Sequence, residues 1–417
     1  MPVFINPHEL HDILPPYACV YLQAGIAQPT PLIEALQAYG ACTQRFVSAG
    51  FPGINEFAPD AFGPDSLTTV FYATRAFAQG LNSGRIEQLP VHHSQIAPYL
   101  ERVNCPDVLL IQVSPPDDHG QCSLGGGPDF VPLLAERAGL VIAEVNSLLP
   151  RAADGPHIPW SRLTHVCLTD RPLPSITDST ADPVAVQVAG RAAELIDDGD
   201  CLQAGIGHLP AILLGLLGDR RRLGIHSGVA GDALARLIES GAATGECKPA
   251  SHPRAVTAYL AGATLTWQLA TQGRLALRTP AFTHAPQVMG EIERFVSIGA
   301  ALEVDLFGQV NAEHVEGRAI SGTGGFVDFA RGARLSRGGR AIVMLPSTSR
   351  GRSRIRAALP AGTPVTCTRA DVDIVVTEHG VAKLRHLSVD QRARQLIDIA
   401  DPAHRDALAA EWERIRP

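Results

Sequence analysis

The sequence predicts an α/β protein made of two tandem copies of one domain, each with an open, mostly parallel sheet covered by helices. Runs such as residues 107–113 and 374–377 are largely apolar, which is typical of strands buried on both faces of a parallel sheet. Stretches with helical periodicity alternate with these runs, as βα units require. A third observation, an internal repeat, predicts the duplication.

The repeat consists of four short matches that occur in the same order in the two halves. Leu-Gln-Ala-Gly-Ile occurs at 22–26 and again at 202–206, each time followed by proline and an apolar helical stretch. The other matches pair 119–121 with 307–309, 127–130 with 325–329, and 140–143 with 341–344. The offset grows slowly along the chain, so we infer two copies of one domain. They are expected at 1–177 and 178–417, with the boundary in the Pro-, Ser-, Thr- and Asp-rich stretch 172–183.

The elements within this frame follow from hydrophobic periodicity. Helices are predicted at 7–14, 31–39, 132–138, 184–197, 211–217 and 232–240, and strands at 107–113, 140–143, 341–344 and 374–377. In a duplicated α/β protein, the cleft between the copies is the expected place for a large substrate.

Composition narrows the class of protein. The chain has 417 residues, 45% of them hydrophobic and 18% charged, which suits a soluble α/β protein of two domains. A net charge of −7 argues against a nucleic-acid partner. No signal peptide is read at the N-terminus, and no apolar run approaches a membrane span. Eight scattered cysteines without a Cys-x-x-Cys pair favour reduced thiols in a cytoplasmic protein and argue against a structural zinc site.

The stretch 201–229 contains a local signal for a binding site. Residues 202–204 end an apolar run, 205–207 make a Gly-Ile-Gly turn, and Pro210 opens an apolar helical stretch. A strand, a glycine turn and a helix N-terminus in this order leave N–H groups free to hold a phosphate or a developing oxyanion. Such a turn alone is equally compatible with simple chain reversal.

Longer motifs in both halves point to one family. The N-terminal half contains Ile-Gln-Val-Ser-Pro-Pro-Asp-Asp-His-Gly at 111–120, Cys-Ser-Leu-Gly at 122–125 and Ala-Glu-Val-Asn at 143–146. The C-terminal half contains Ser-Gly-Thr-Gly-Gly-Phe-Val-Asp-Phe-Ala-Arg-Gly-Ala at 321–333, Leu-Pro-Ser-Thr at 345–348 and Val-Val-Thr-Glu-His-Gly-Val-Ala at 375–382. Together they resemble the acetyl-CoA hydrolase/transferase family, which includes the 4-hydroxybutyrate and acetate CoA-transferases.

This resemblance implies a CoA-transferase fold, an acyl-CoA substrate, no permanently bound cofactor and a homodimer. It also implies a catalytic glutamate. That glutamate attacks the thioester to give a mixed anhydride, which CoA opens to a glutamyl-CoA thioester, and an acceptor carboxylate then reverses the sequence.

The sequence departs from the family pattern at the position of that glutamate. The family carries His-Thr-Glu-Met after the glycine turn, whereas this chain reads His-Ser-Gly-Val at 226–229, so Gly228 holds the nucleophile's position. The family's Ile-Asn-Ser-Ala-Leu-Glu becomes Ile-Gly-Ala-Ala-Leu-Glu at 298–303, and 279–286 lacks the expected Asn-Asp-Pro. Glycine cannot form the anhydride. We therefore expect altered chemistry on a retained thioester-binding frame.

Two histidines are candidates for a general base. His226 is two residues from Gly228, and alternation along a strand places both on one face, although a structural hydrogen-bonding role is the alternative. His208, in the glycine turn, is a candidate base or ligand contact. Glu246 and Cys247 would need a fold-back of the chain to reach the vacated position.

The two glycine-rich loops are expected to hold the thioester, with backbone amides of 205–207 and 324–325 donating to its oxyanion. The residues predicted to bind CoA or the thioester are Gln203, Ala204, Gly205, Ile206, Gly207, Gly322, Gly324, Gly325 and Arg350, with Arg340 as an alternative charge partner. The turn 125–127 is predicted to be a degenerate copy of this loop. No metal is expected, since His92 and His93 would point to opposite sides of a strand.

The leading hypothesis is an enzyme that hydrolyses an acyl-CoA or carrier-bound thioester, or transfers its acyl group to a small acceptor, without a covalent intermediate. One alternative is a true CoA-transferase with a relocated nucleophile. The other is a catalytically silent homologue that binds acyl-CoA.

Overall fold

Two eight-stranded sheets form the molecule. The computed structural model describes residues 1–51, 54–55, 57–174 and 182–417. One sheet lies before residues 175–181 and the other after them, which confirms the α/β class with large, mostly parallel sheets. The predicted boundary between 177 and 178 falls outside the described residues.

The described elements of the N-terminal half are β1 Val3–Phe4, α1 Leu10–Ile13, β2 Cys19–Leu22, α2 Thr30–Tyr39, β3 Arg45–Ser48, β4 Leu67–Val70, α3 Ala78–Ser83, β5 Ile86–Gln88, α4 Ile96–Arg102, β6 Val108–Val113, β7 Gln121–Ser123, α5 Val131–Leu134, β8 Leu140–Asn146, β9 His157–Pro159 and β10 His165–Thr169.

The elements of the C-terminal half are α6 Pro183–Ala193, β11 Cys201–Ala204, α7 His208–Gly215, β12 Gly224–Ala230, α8 Asp232–Glu239, β13 Ala255–Leu260, α9 Thr264–Thr271, β14 Ala276–Leu277, α10 Pro280–Thr283, α11 Pro286–Gly290, β15 Phe295–Ala300, β16 Glu303–Asp305, β17 Val310–Asn311, β18 His314–Val315, β19 Arg318–Ala319, α12 Phe326–Leu335, β20 Arg340–Met344, β21 Thr348–Ser349, β22 Arg352–Ser353, β23 Ile355–Arg356, β24 Ile374–Thr377, β25 Gly380–Lys383, α13 Val389–Asp398 and α14 Pro402–Ile415.

The two sheets share one strand order, which supports the duplication. The first sheet reads β5-β4-β3-β2-β6-β8-β10-β1 and the second β14-β13-β12-β11-β15-β20-β24-β25. In both, the first seven strands are parallel and wind outward on one side of a central strand before returning on the other. The repeated segments 140–143 and 341–344 form the corresponding strands β8 and β20. The edge strand β25 is antiparallel to β24.

The topology of the second sheet defines where a ligand can bind. Strand β11 pairs with both β12 and β15, so the winding direction reverses beside it. In open parallel sheets, ligands bind at the carboxyl ends of the strands next to such a reversal. The glycine turn 205–207 directly follows β11, and Gly299 and Ala300 end β15. The predicted binding loop therefore lies at this crevice.

Helices cover both faces of the second sheet. On one face, Val188 of α6, Leu213 of α7 and Leu234 of α8 pack in one core with residues of β11 and β12. On the other face, Phe329 of α12 packs with Phe295 of β15. No helix within the described ranges has both the length and the apolar character needed to cross a bilayer.

One predicted helix is shorter than expected. The prediction at 132–138 was a two-turn helix, but α5 is a single turn that ends at Leu134. The Arg162 guanidinium donates to the carbonyl oxygens of Ala135, at 2.5 Å, and Ala138. These carbonyls have an external donor, which favours turn geometry over a continued helix.

A buried carboxylate joins the two halves. Asp129 accepts hydrogen bonds from the hydroxyl of Tyr21 on β2 and, at 2.6 Å, from that of Tyr259 on β13. The nearby turn 125–127 packs against the second half as well. A Cβ on Gly126 would lie 2.5 Å from the Trp267 indole, so this turn forms the contact between the halves.

Candidate active site

A cavity of about 310 Å³ opens at the carboxyl ends of β11 and β15. Its walls combine small residues of the glycine loops with aromatic rings from both halves of the chain. The main lining residues are Gln203, Ala204, Gly205, Ile206, Gly228, Ser297, Gly299, Ala300, Gly322, Thr323, Gly324, Gly325, Phe51, Tyr72, His93, Tyr259, His284, Phe326 and Phe329.

The structure brings most of the predicted binding residues together. Residues 203–206 and the glycines at 322, 324 and 325 line this cavity with Gly228, although the two loops are distant in sequence. Gly207 and His208 line an adjacent hollow of about 380 Å³ between α7 and α8, which shares Ala204–Ile206 with the first. The two spaces form one crevice around the glycine turn.

The two predicted arginines lie elsewhere. Arg350 lines a separate depression with Arg352, Arg354 and Arg356. Arg340 is the first residue of β20 and so lies at the amino ends of the strands, opposite the ends where the cavity opens. It forms an ion pair with the buried Asp200. Neither arginine contributes to the cavity.

A histidine fills the space beside Gly228, the position that is predicted to have lost the nucleophile. An ideal Cβ on Gly228 would lie 2.7 Å from Nε2 and 2.9 Å from Cε1 of His284, and 3.0 Å from the Phe329 ring. Separations below 3.0 Å are too short for real side chains, so residue 228 can only be glycine in this arrangement. A glutamate there would have to displace the His284 imidazole.

The environment of His284 keeps its imidazole neutral. The ring is buried, 4.2 Å from the His93 ring and 4.7 Å from the Phe329 ring between centroids. Burial lowers the pKa of His284 well below its ordinary value, and the neighbouring histidines lower it further. Its Nδ1 shares a hydrogen bond of 3.0 Å with Thr283 Oγ1. The Nε2 edge of the ring is next to Gly228.

His93 reaches the same cavity from the N-terminal half. Its Nδ1 forms a 2.6 Å hydrogen bond with the Tyr72 hydroxyl, and burial lowers the pKa of His93 to about 3. Its Nε2 is buried without a hydrogen-bond partner among the described residues. From the sequence alone, no metal role was expected for His93 and no other role was assigned to it, whereas in the fold it lies in the wall of the cavity.

His226 lies on the same side of β12 as Gly228 but deeper in the protein. Its Nε2 is 3.1 Å from the Thr283 carbonyl oxygen, and its ring packs on Phe282 and Phe295. Burial lowers the pKa of His226 to about 3. The ring does not line the cavity, and its contacts hold the segment that carries His284.

An aromatic ring also packs against Gly299, in the second segment that is predicted to depart from the family pattern. A Cβ on Gly299 would lie 2.9 Å from the Phe326 ring.

At the glycine turn, Gly205 N–H already donates to Ile298 O at 2.9 Å and is not free for a ligand. Within the described chain, the amides of Gly324 and Gly325, at the start of α12, have no acceptor. Gly324 has φ +52°, a left-handed conformation that favours glycine.

Cys247, considered from the sequence as a replacement nucleophile, is distant, and burial raises the pKa of the Cys367 thiol in the cavity wall to about 12. Cys247 packs beside Gly224, at the amino end of β12, roughly 13 Å along the strand from Gly228. Asp371 is the acidic residue among the described lining residues, and Arg331 holds it in an ion pair of 3.1 Å. No lysine or arginine lines the described part of the cavity. In the described ranges, no group of three or more His, Cys, Asp and Glu side chains is arranged to hold a metal.

Sequence reasoning missed the aromatic half of the site. Phe51, Tyr72, His93, Tyr259 and His284 are isolated in sequence and meet only in the fold. One available signal was the atypical stretch 279–286, which contains His284.

The comparisons show an enzyme that acts on acyl-CoA and identify its family. The N-terminal domain of the acetyl-CoA hydrolase/transferase family matches residues 45–176, and its C-terminal domain matches 264–412. This chain belongs to that family, as the resemblance predicted.

Individual relatives show the range of the family. The 4-hydroxybutyrate coenzyme A transferase of Clostridium kluyveri is 37% identical over 80% of this chain and 79% of its own length. The acetyl-CoA hydrolase of Neurospora crassa is 26% identical over 81% and 73%, respectively. The crystal structure of RipA from Yersinia pestis superposes with a TM-score of 0.91 at 29% identity, covering 99% of this chain and 97% of that chain.

Proposed function

We propose that this enzyme cleaves an acyl-CoA thioester by direct attack of water, or of another small acceptor, without a covalent enzyme intermediate. The observation that carries the proposal is the position of His284. Its imidazole fills the space of a side chain at residue 228, where the resemblance places the family's glutamate. The site therefore offers a neutral base where a covalent carboxylate is expected.

The imidazole supports general-base catalysis by its hydrogen bonding. When Nδ1–H of His284 donates to Thr283 Oγ1, Nε2 has its lone pair free. That atom can accept a proton from a water molecule as its oxygen attacks the thioester carbon. The C–S bond then breaks, and the proton passes from the imidazolium to the CoA sulfur. The products are a carboxylic acid and free CoA.

The glycine loops supply the complementary role. The N–H groups of Gly324 and Gly325, at the start of α12, have no acceptor among the described residues and can donate to the oxyanion that develops on the thioester oxygen. Those of Ile206 and Gly207 are further donors, since within the described ranges only the Gly205 amide of that turn has a backbone acceptor. His226, which holds the Thr283 carbonyl, acts in this scheme as a positioning residue for His284.

The charge of the cavity favours direct attack over CoA transfer. A carboxylate acceptor requires a cation or several donors when it is buried. Among the described lining residues there is no lysine or arginine, and Asp371 is engaged with Arg331. A water molecule is uncharged and has no such requirement.

Turnover by the purified protein tests this proposal. Free thiol release from acyl-CoAs should occur, ¹⁸O from labelled water should enter the acid, and intact mass after borohydride treatment should show no adduct. A glutamyl-CoA adduct would overturn the direct mechanism. Tight acyl-CoA binding without thiol release would favour the silent homologue. The homodimer and the cytoplasmic location remain predictions, the first testable by sedimentation.

A further inference from the structure

We infer that the acyl group accepted by this cavity is uncharged and aromatic, an aryl or arylalkanoyl thioester. The inference deepens the proposed function and rests on it, because it takes the acyl end of the thioester to lie in the cavity beside His284.

Aromatic rings from both halves of the chain form a continuous wall. The Phe51 ring contacts that of Tyr259 edge-on at 4.6 Å and stacks with that of Tyr72 at 5.5 Å. His93 lies 6.1 Å from Tyr259 and 4.2 Å from His284. Rings at such separations attract another ring in edge-to-face or offset geometry, beyond simple area burial. The wall therefore favours a flat apolar ligand over an aliphatic chain.

Small residues leave room beside this wall. The rest of the lining is largely glycine and alanine, including Ala204, Gly299, Ala300 and Gly325. An apolar cavity of about 150 Å³ is enough to bind benzene. A cavity of about 310 Å³ therefore has space for an aryl ring together with the thioester group.

Three polar side chains of the lining are already paired with protein groups. Ser297 Oγ donates to Gln203 Oε1 at 3.0 Å, and Thr323 Oγ1 donates to the Val91 carbonyl at 2.5 Å. The Tyr72 hydroxyl is bonded to His93. With no lysine or arginine in the described lining, a second carboxylate on the acyl group would be buried without a permanently charged partner, which is costly. A succinyl-type thioester is therefore disfavoured.

Binding of CoA thioethers tests the substrate class independently of turnover. S-phenacyl-CoA and S-acetonyl-CoA keep the ketone but cannot be cleaved as thioesters, and calorimetry gives their dissociation constants. We expect S-phenacyl-CoA to bind at least about tenfold more tightly, by the discrimination typical of an apolar pocket. Equal affinities, or tighter binding of the acetonyl compound, would overturn the inference. Tighter binding of S-phenacyl-CoA without cleavage of any acyl-CoA would support the substrate class and count against the proposed reaction.

Kinetics and a variant add a second test. Phenylacetyl-CoA should exceed hexanoyl-CoA and succinyl-CoA in kcat/KM, and a preference for hexanoyl-CoA would contradict an aromatic site. Phe51→Leu keeps an apolar side chain but removes the ring, so it should reduce the preference for S-phenacyl-CoA with little change for S-acetonyl-CoA. Tyr39→Leu, at an exposed ring on α2, is the matched control. An unchanged preference in Phe51→Leu would refute the role of the wall.

Discussion

The imidazole of His284 lies against Gly228, with Nε2 2.7 Å from where a Cβ would be. These two residues are 56 positions apart in the sequence, in two segments that are predicted to depart from the family pattern. In the fold they are complementary, since the His284 ring occupies the space that a side chain at residue 228 would take. We therefore propose that the predicted loss of the glutamate is part of a repacked site.

Restoring a glutamate alone should fail. Gly228→Glu overpacks the contact with His284 and should destabilise the protein by roughly 1–3 kcal/mol, with no glutamyl-CoA adduct. Adding His284→Ala removes the obstructing ring, so the double variant should regain stability and form the adduct. Urea unfolding and intact mass measure both effects. Gly218→Glu, at an exposed glycine with open space around it, is the control, and equal stability of the two single variants would contradict the packing argument.

Removing the proposed base should reduce turnover without abolishing binding. His284→Ala is expected to lower kcat by about 10²- to 10⁴-fold, the range for general-base catalysis, and to leave CoA affinity nearly unchanged. Thiol-release kinetics and calorimetry separate the two quantities. His119→Ala, at an exposed turn, serves as the control. Full activity of His284→Ala would exclude this role.

Stability should fall as the pH falls from about 6.5 towards 3. Burial lowers the pKa of His93 and His226 to about 3, so both stay neutral in the folded protein while the unfolded chain binds protons near pH 6.5. Their contribution is therefore complete above about 6.5 and is lost on acidification. His226→Gln can still donate to the Thr283 carbonyl but does not titrate.

Urea unfolding at about pH 7.5 and about pH 5 measures this effect. The loss of stability between the two should be smaller in His226→Gln than in the wild type. His119→Gln should follow the wild type. Parallel behaviour of all three proteins would show that His226 takes up no extra proton on unfolding.

The contact between the halves should depend on the backbone conformation of Asp129 as well as on the charge of its side chain. Asp129 is fully buried with φ +49°, a conformation that Asn adopts more readily than Ala. Asp129→Ala leaves the hydroxyls of Tyr21 and Tyr259 without an acceptor and should cost about 2–5 kcal/mol. Asp129→Asn keeps one acceptor oxygen and should cost less.

Urea unfolding compares these variants, with Asp118→Ala at an exposed position as the control. Equal losses for Asp129→Ala and Asp129→Asn would argue that backbone strain and acceptor loss do not determine the effect.

Much of the fold was predictable because it depends on local sequence patterns. The largely apolar run at 107–113 contains the fully buried strand β6, and the predicted helices at 31–39, 184–197 and 232–240 correspond to α2, α6 and α8. The helix at 132–138 was overestimated because its end depends on Arg162, a contact between distant residues.

In the candidate site, too, contiguous motifs were predictable and contacts between distant residues were not. Both glycine loops were recognisable, since their motifs are contiguous and glycine has a distinctive backbone role. Arg350 was expected near the thioester and lies in another depression, because sequence order does not tell which way a surface loop turns. His226 was expected beside Gly228, and strand alternation does place it on that side, but its depth below Phe282 follows from packing.

The sequence by itself determined the duplicated α/β fold, the family, the glycine loops and the absence of a glutamate at Gly228. These are properties of composition, periodicity and contiguous motifs. Only the tertiary structure decided what replaces that glutamate and what surrounds it. His284, His93, Tyr72, Phe51 and Tyr259 come from separate loops and strands of both halves, and only close packing of the folded chain brings their rings into one wall.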